Sequence, residues 1–153
     1  MSTEAERTKG TEAERTKGMD AERTKQMHEL VPFTAELGLG LVEASRERVV
    51  GQAAWATERC TAGGVLHGGY LMATVDSIGA MCAVQNLPDD AAGTTTIESK
   101  TNFFRAVRGG TVTITATPIH AGRTTVVVQT DVTDDAGKLV TRTTQTQAVL
   151  RAS

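Results

Sequence analysis

Four residues within one stretch of the chain have types and a spacing that could do chemistry. In VLHGGYLMATVDSIGA, which starts at Val65, His67, Gly68 and Gly69 are followed by Asp76, eight residues after Gly68. If a helix begins at the glycines, their backbone N–H groups lie in its first turn, where no carbonyl of the helix accepts from them. Together with the helix dipole, such N–H groups can bind an anion or polarise a carbonyl oxygen. Gly68 is therefore a candidate oxyanion donor, although His-Gly-Gly could also serve only to turn the chain into the helix.

Asp76 lies in the segment from Tyr70 to Val84, which is apolar nearly all the way round. This pattern predicts a helix that is buried on all faces. A carboxylate in such a helix must be paired, hydrogen-bonded or functional, and no basic residue lies three or four positions away. Asp76 is therefore a candidate nucleophile or general base. The alternative is a core carboxylate satisfied by backbone or hydroxyl groups.

The spacing of these candidates constrains how they could act together. Eight helical residues separate Gly68 and Asp76 by about 12 Å along the axis. That distance is too long for both groups to reach one reacting carbonyl. If both serve one site, they must come from two chains, with two antiparallel helices related by a two-fold axis. The sequence thus predicts, conditionally, an obligate homodimer with two shared sites.

The surrounding pattern predicts the elements that position this helix. Two strands, Leu37–Ala44 and Arg48–Thr57, precede it as a hairpin, and four segments rich in threonine and valine follow it. Turn sequences separate those four segments and favour a four-stranded meander of neighbouring antiparallel strands. The predicted fold class is α+β, a curved antiparallel sheet wrapped around one long central helix. The four segments are Thr94–Phe104, Thr111–His120, Thr124–Asp134 and Leu139–Leu150.

The N-terminal residues differ from this domain in composition. An octapeptide occurs as TEAERTKG, TEAERTKG and the diverged MDAERTKQ, with almost no apolar residues. We therefore expect residues 1–28 to form a charged, disordered tail and residues 29–153 to form a single folded domain. A functional arm is the alternative for the tail.

Composition excludes several classes of function. The chain of 153 residues has a net charge of −2, so it has no global basic footprint for nucleic acid or an anionic membrane. The longest apolar run contains three polar side chains, and no apolar signal core is present, so we expect a cytoplasmic protein without a membrane span. Cys60 and Cys82 lack metal-ligand spacing and are expected to be reduced thiols.

The order of short motifs resembles that of a known family. PF-x3-LG, VLHGG-x6-D, NFFR-x3-GG, HAGRTT and DDAGKLV follow one another between Pro32 and Leu150. This order is similar to the PaaI-type acyl-CoA thioesterases of the hotdog-fold superfamily. The resemblance implies a hotdog fold, a homodimer or a dimer-of-dimers tetramer, and hydrolysis of acyl-CoA thioesters without a metal ion or organic cofactor.

The resemblance also implies roles for individual residues. Asp76 would be the nucleophile or general base, Gly68 N–H would polarise the thioester carbonyl, His67 would support the helix start and the site wall, and Thr96 would orient water or substrate. Residues that would contact substrate or coenzyme A are Gly69, Thr61, Asn102, Arg105, Gly122, Arg123 and Thr124. Thr61 departs from the pattern, because many relatives have Asn or Gln there.

Three alternatives remain open at this point. Asp76 could attack the thioester or activate water, and the sequence does not choose between these routes. The protein could instead be a non-catalytic acyl-CoA-binding module, which the Thr61 substitution keeps open. A hydratase or dehydratase using His67 with Asp76 is the third alternative. The acyl group could be aryl, short or medium-length.

Overall fold

The computed structural model describes residues 18–152, which form one α+β unit. None of the helices in this range is long and apolar enough to cross a membrane. The elements are helices α1 (Ala21–Leu30), α2 (Pro32–Glu36) and α3 (Gly68–Gln85), a 3-10 turn (Thr57–Arg59), and strands β1 (Leu39–Ala44), β2 (Val49–Ala54), β3 (Ala91–Phe103), β4 (Thr111–Ala121), β5 (Thr125–Thr133) and β6 (Leu139–Arg151).

The six strands form one antiparallel sheet that packs one face against α3. Their order across the sheet is β1-β2-β4-β5-β6-β3. Alternate residues of the central strands, such as Val112 and Ile114 on β4, are fully buried, as are Val75 and Ile78 on the facing side of α3. This alternation follows from the period of two along a strand. The predicted architecture of one sheet around one long helix is confirmed.

The predicted four-stranded meander is wrong in one connection. β3 does not pair with β4 but lies at the sheet edge beside β6, with Phe103 opposite Thr141, whereas β4 pairs with β2 and β5. Seven residues, 104–110, join β3 to β4, which is more than a tight hairpin needs. Within this link Val107 is buried and its carbonyl accepts from Leu66 N–H at 2.9 Å, so the link passes the N-terminal end of α3.

Helix α3 begins at the glycines, as the sequence predicts, but it is not buried on all faces. Val75, Ile78 and Cys82 face the sheet and are fully buried, whereas Met72 and Val84 are 38% and 52% exposed. The physical reason is that a single sheet covers only one side of a helix. The exposed face is apolar and carries Asp76, so the single chain leaves this part of the helix uncovered.

Helix α1 starts inside the third repeat unit, and the expected boundary between residues 28 and 29 falls within it. Asp20 caps the helix by accepting from Arg23 N–H at 3.0 Å, and its own N–H donates to Leu41 O at 2.7 Å. Met27 is only 4% exposed and anchors the helix to the core. The residues from Asp20 onwards therefore belong to the folded unit. Residues 1–17 lie outside the described residues, so the tail prediction for them stays untested.

Candidate functional site

Asp76 lies on the exposed face of α3 with one carboxylate oxygen tied to the sheet. Its Oδ1 accepts from Gln145 Nε2 at 2.5 Å and from Thr96 Oγ1 at 3.4 Å. Oδ2 has no hydrogen-bond partner among residues 18–152. The expectation of a carboxylate enclosed on all sides is wrong for the single chain, because the uncovered face of α3 leaves the side chain exposed. The arrangement holds the carboxylate in place and leaves one oxygen free to act.

Gln145 and Gln147, which the sequence analysis missed, form the support for this carboxylate. Both side chains are almost completely buried, at 0% and 1% exposure. Gln147 Nε2 donates to Thr96 Oγ1 at 2.8 Å, and Gln147 Oε1 accepts from Thr94 Oγ1 at 3.2 Å. The signal was the run TRTTQTQ of a predicted strand, in which every position is polar, so its inward-facing side chains must be polar too. Buried amides on a strand normally have a hydrogen-bonding purpose, and here that purpose is to orient Thr96 and Asp76.

A glycine in α3 makes room for this support. A Cβ atom at Gly79 would lie 2.1 Å from Gln145 Oε1, which is far inside contact distance. Gln145 Oε1 is buried and has no hydrogen-bond partner within residues 18–152. A buried acceptor without a partner costs stability. A glutamine at this position is therefore better explained by its hydrogen bond to Asp76 than by packing alone.

Replacing Gln145 with leucine is expected to lower kcat for the best thioester substrate about 10- to 100-fold, since hydrogen bonds to charged groups contribute roughly 1.5–3 kcal/mol. KM should change less than threefold, because Gln145 is buried behind Asp76 and does not line the exposed surface. The melting temperature should hold or rise, since the unpaired Oε1 is removed. Gln129→Leu on β5 is the matched control, and an unchanged kcat for Gln145→Leu would show that Asp76 needs no such support.

The first turn of α3 leaves the Gly68 N–H free as a backbone donor. His67 is the N-cap residue, and its Nδ1 accepts from Gly69 N–H at 2.8 Å. Gly68 N–H, by contrast, has no acceptor among residues 18–152. The predicted donor is therefore unoccupied, whereas the Gly69 N–H is already used. His67 acts on the helix start, and the lone pair of Nδ1 is not available to a substrate.

The free donor and the carboxylate are not brought together within one chain. Asp76 follows Gly68 by eight positions on the same helix, about 12 Å along its axis. A Cβ atom at Gly68 would lie 3.2 Å from the Phe103 ring near the end of β3, whereas Asp76 contacts Thr96 nearer its middle. The two groups are thus associated with different parts of the same edge strand.

The residues expected to bind coenzyme A also fall into two groups. Asn102 lies near the end of β3, which pairs with the start of β6, and Arg105 lies two residues beyond that end. Gly122, Arg123 and Thr124 lie in the β4–β5 turn, where Arg123 O accepts from Arg151 Nη2 at the end of β6. Ten residues of β6 separate the two groups, which corresponds to about 33 Å. One chain therefore cannot present Arg105 and Arg123 to the same small ligand.

Thr61 lies near the first turn of α3, in an exposed loop. Its backbone N–H donates to Val65 O at 2.8 Å, and the loop returns to the helix through His67 N–H, which donates to Arg59 O at 2.9 Å. This position is on the Gly68 side of the site rather than beside Asp76.

Two other kinds of chemistry to consider are a cysteine nucleophile and a metal site. Burial raises the pKa of the Cys82 thiol to about 11, so this thiol is protonated at neutral pH and is a poor nucleophile. Between residues 18 and 152, no group of three His, Cys, Asp or Glu side chains comes together in a way that could hold a metal ion.

Comparisons with known proteins agree with this fold. Residues 63–141 match the family model described as the thioesterase superfamily. A Mycobacterium tuberculosis protein named "Putative esterase" is 32% identical over 73% of this chain and 81% of its own length. A mutant thioesterase from Pseudomonas aeruginosa superposes with a TM-score of 0.79 at 26% identity, over 87% of this chain and 95% of that chain. A hypothetical thioesterase from Streptococcus pneumoniae, solved with coenzyme A, gives a TM-score of 0.72 at 25% identity, over 84% and 97%. The sheet order, the long helix and these matches together make the chain a hotdog-fold member of the thioesterase superfamily.

Proposed function

We propose that this protein hydrolyses acyl-CoA or aroyl-CoA thioesters to the free acid and coenzyme A, as a PaaI-type thioesterase. The observation that carries the proposal is the pair formed by a carboxylate with one free oxygen, Asp76, and a free helix N-terminal donor, Gly68 N–H. A thioester carbonyl polarised by the donor is open to attack by Asp76 or by a water that Asp76 deprotonates. The coenzyme A thiolate is a good leaving group, so no strong general acid is required.

The proposed active unit is a homodimer in which Gly68 of one chain works with Asp76 of its partner. β3 supports this arrangement, because one of its edges is unpaired within the described chain. Unpaired strand edges readily pair with another chain. If β3 pairs antiparallel with its partner about a two-fold axis between Ser99 and Lys100, Thr96 of each chain lies opposite the partner's Phe103. Thr96 contacts Asp76, and Phe103 lies beside Gly68. This register therefore brings Asp76 of each chain close to Gly68 of its partner, which gives two sites per dimer.

The same dimer would assemble the coenzyme A site. Arg105 and Arg123 lie about 33 Å apart in one chain, but antiparallel pairing brings Arg105 of one chain towards the Arg123 end of its partner. Guanidinium groups from two chains would then meet the phosphates of one coenzyme A. Thr61 and Gly69 would lie beside the thioester. A further association into a dimer of dimers stays a prediction.

The apolar surface around β3 offers a direct test of the dimer. Ile97 is 63% exposed and lies on β3, the strand with one unpaired edge. Ile97→Arg is expected to give a folded monomer in sedimentation velocity and to lose at least about 100-fold in kcat/KM, because each site loses the partner's donor. Ile119→Arg, at a residue that is 58% exposed on β4, is the control and should remain at least dimeric. A fully active Ile97→Arg monomer would contradict the shared site.

The proposed reaction is tested with a panel of CoA thioesters of increasing acyl length, including benzoyl- and phenylacetyl-CoA. Release of free thiol is followed for each. Hydrolysis of at least one member supports the proposal. A single turnover in ¹⁸O-water then separates the nucleophilic route from the general-base route. Only attack by Asp76 can leave the isotope in the Asp76 carboxylate. Tight binding without thiol release would favour a non-catalytic acyl-CoA-binding module, to which the exposed Thr61 in place of an amide points.

A further inference from the structure

We infer that the acyl group of the substrate lies in an apolar groove between α3 and the N-terminal helices, and that the groove selects apolar acyl chains of medium length. This inference rests on the proposed function, because it assigns the acyl end of the same site. The groove has a volume of about 390 Å³. Its α3 wall runs from Asp76 to Gln85, and its opposite wall is formed by α1 and α2.

The first argument is continuity with the carboxylate. Asp76 itself lines one end of the groove, and Ala80 and Val84 follow it at successive turns of α3. A thioester carbonyl held at Asp76 would therefore direct its acyl chain along the helix. The opposite wall consists mainly of apolar side chains, namely Met27, Leu30, Val31 and Phe33.

The second argument concerns the hydroxyl groups in the groove, which are turned away from a ligand. Ser77 Oγ donates to Ala73 O at 3.0 Å, and Thr34 Oγ1 donates to Val31 O at 2.7 Å. Both donors are therefore used by the backbone of their own helices. Gln85, at the far end, is the remaining polar side chain of the α3 wall. Because these two hydroxyl hydrogens are already donated, a carboxylate on the acyl group would lose its hydration without gaining a donor from Ser77 or Thr34, which is costly.

The third argument is length. From Asp76 to Val84 the helix rises by about 12 Å. An extended chain advances about 1.2 Å per bond, given that a residue of three backbone bonds spans roughly 3.5 Å. The groove thus holds an acyl chain of about eight to ten carbons. Leu30, Phe33 and Val84 are 84%, 58% and 52% exposed, so such a chain would cover apolar surface that is otherwise in water.

The wild-type protein should show kcat/KM rising about fourfold per added methylene up to eight to ten carbons, the gain expected from burying one methylene, and then levelling. Two substitutions should shorten this range by different amounts. Ala80→Phe, one turn from Asp76, should restrict hydrolysis to chains of about four carbons, whereas Val84→Trp, two turns away, should stop the rise about two carbons before the wild type does. Ala35→Phe on α2 lies outside the groove and is the matched control.

The outcomes separate this inference from the proposed function. Hydrolysis with the same chain-length profile in all four proteins overturns the groove assignment while the proposed function stands. If no CoA ester is hydrolysed, the groove is tested by titration calorimetry with a non-hydrolysable octyl-CoA thioether. Weaker binding to Ala80→Phe than to Ala35→Phe supports the groove assignment, and equal binding overturns it. A change of mass in sedimentation on Val84→Trp would mean that a second copy of the chain occupies the groove, and would also overturn the inference.

Discussion

Replacing Asp76 with asparagine is expected to lower kcat/KM for the best CoA thioester about a thousandfold, within the range that general acid–base groups contribute. The reason is that asparagine keeps the shape of the side chain but provides neither a nucleophilic oxygen nor a base. Its amide oxygen can still accept from Gln145 Nε2, as Asp76 Oδ1 does at 2.5 Å, so the fold should be preserved. Free-thiol release under kcat/KM conditions measures the effect.

Asp89→Asn is the matched control, because Asp89 is exposed in the link that follows α3. Its activity should equal that of the wild type, and circular dichroism should give similar melting temperatures for all three proteins. If Asp76→Asn hydrolyses the best substrate at the wild-type rate, Asp76 is neither nucleophile nor base, and the carboxylate is a structural group held by Gln145 and Thr96.

Replacing Gly68 with proline is expected to lower kcat about 100- to 1,000-fold, the loss typical of removing one oxyanion donor. Proline has no backbone N–H, and the first helical position, which Gly68 occupies, is where proline fits best in a helix. His67 before it has φ −65° and ψ 134°, an extended conformation that a following proline favours. The substitution thus removes the donor while α3 can still start at the same residue.

Gly68→Ala is the control for the added side chain. A Cβ atom at this position would lie 3.2 Å from the ring of Phe103, which is 50% exposed and free to move slightly. Alanine keeps the N–H, so its kcat should stay within about tenfold of the wild type. Equal losses for Gly68→Ala and Gly68→Pro would mean that the space beside Phe103, and not the N–H donor, is what the site requires.

Local patterns in the sequence predict the central helix and the residue at which it starts well. The glycines at the start of α3 and the carboxylate at Asp76 are both read from a single stretch, because helix starts depend on neighbouring residues. The position of β3 could not be read in this way. Its pairing with β6 joins residues such as Thr96 and Gln147 that are far apart in the chain, and turn sequences indicate only where strands end.

The support beneath Asp76 shows the same limit. Gln145 lies 69 residues after Asp76, and no local pattern links the two. The polar run TRTTQTQ is visible in the sequence, but the burial of Gln145 and its contact with Asp76 are not. The exposed face of α3 was missed for a related reason: an apolar pattern does not tell a helix buried in its own chain from one that a second chain covers.

The measurement that tests the shared site most directly uses heterodimers of two inactive variants. Gly68→Pro and Asp76→Asn carry different affinity tags, are co-expressed, and the mixed dimer is purified through both tags. In a two-fold dimer with shared sites, one site of the heterodimer combines the intact Asp76 of the first chain with the intact Gly68 of the second, and the other site has neither.

We predict that the heterodimer recovers about half of the wild-type kcat per dimer, since one of two sites is complete. Each homodimer should remain at its low rate under the same conditions. A heterodimer no more active than the two homodimers would contradict the account, because it would mean that Gly68 and Asp76 act within one chain.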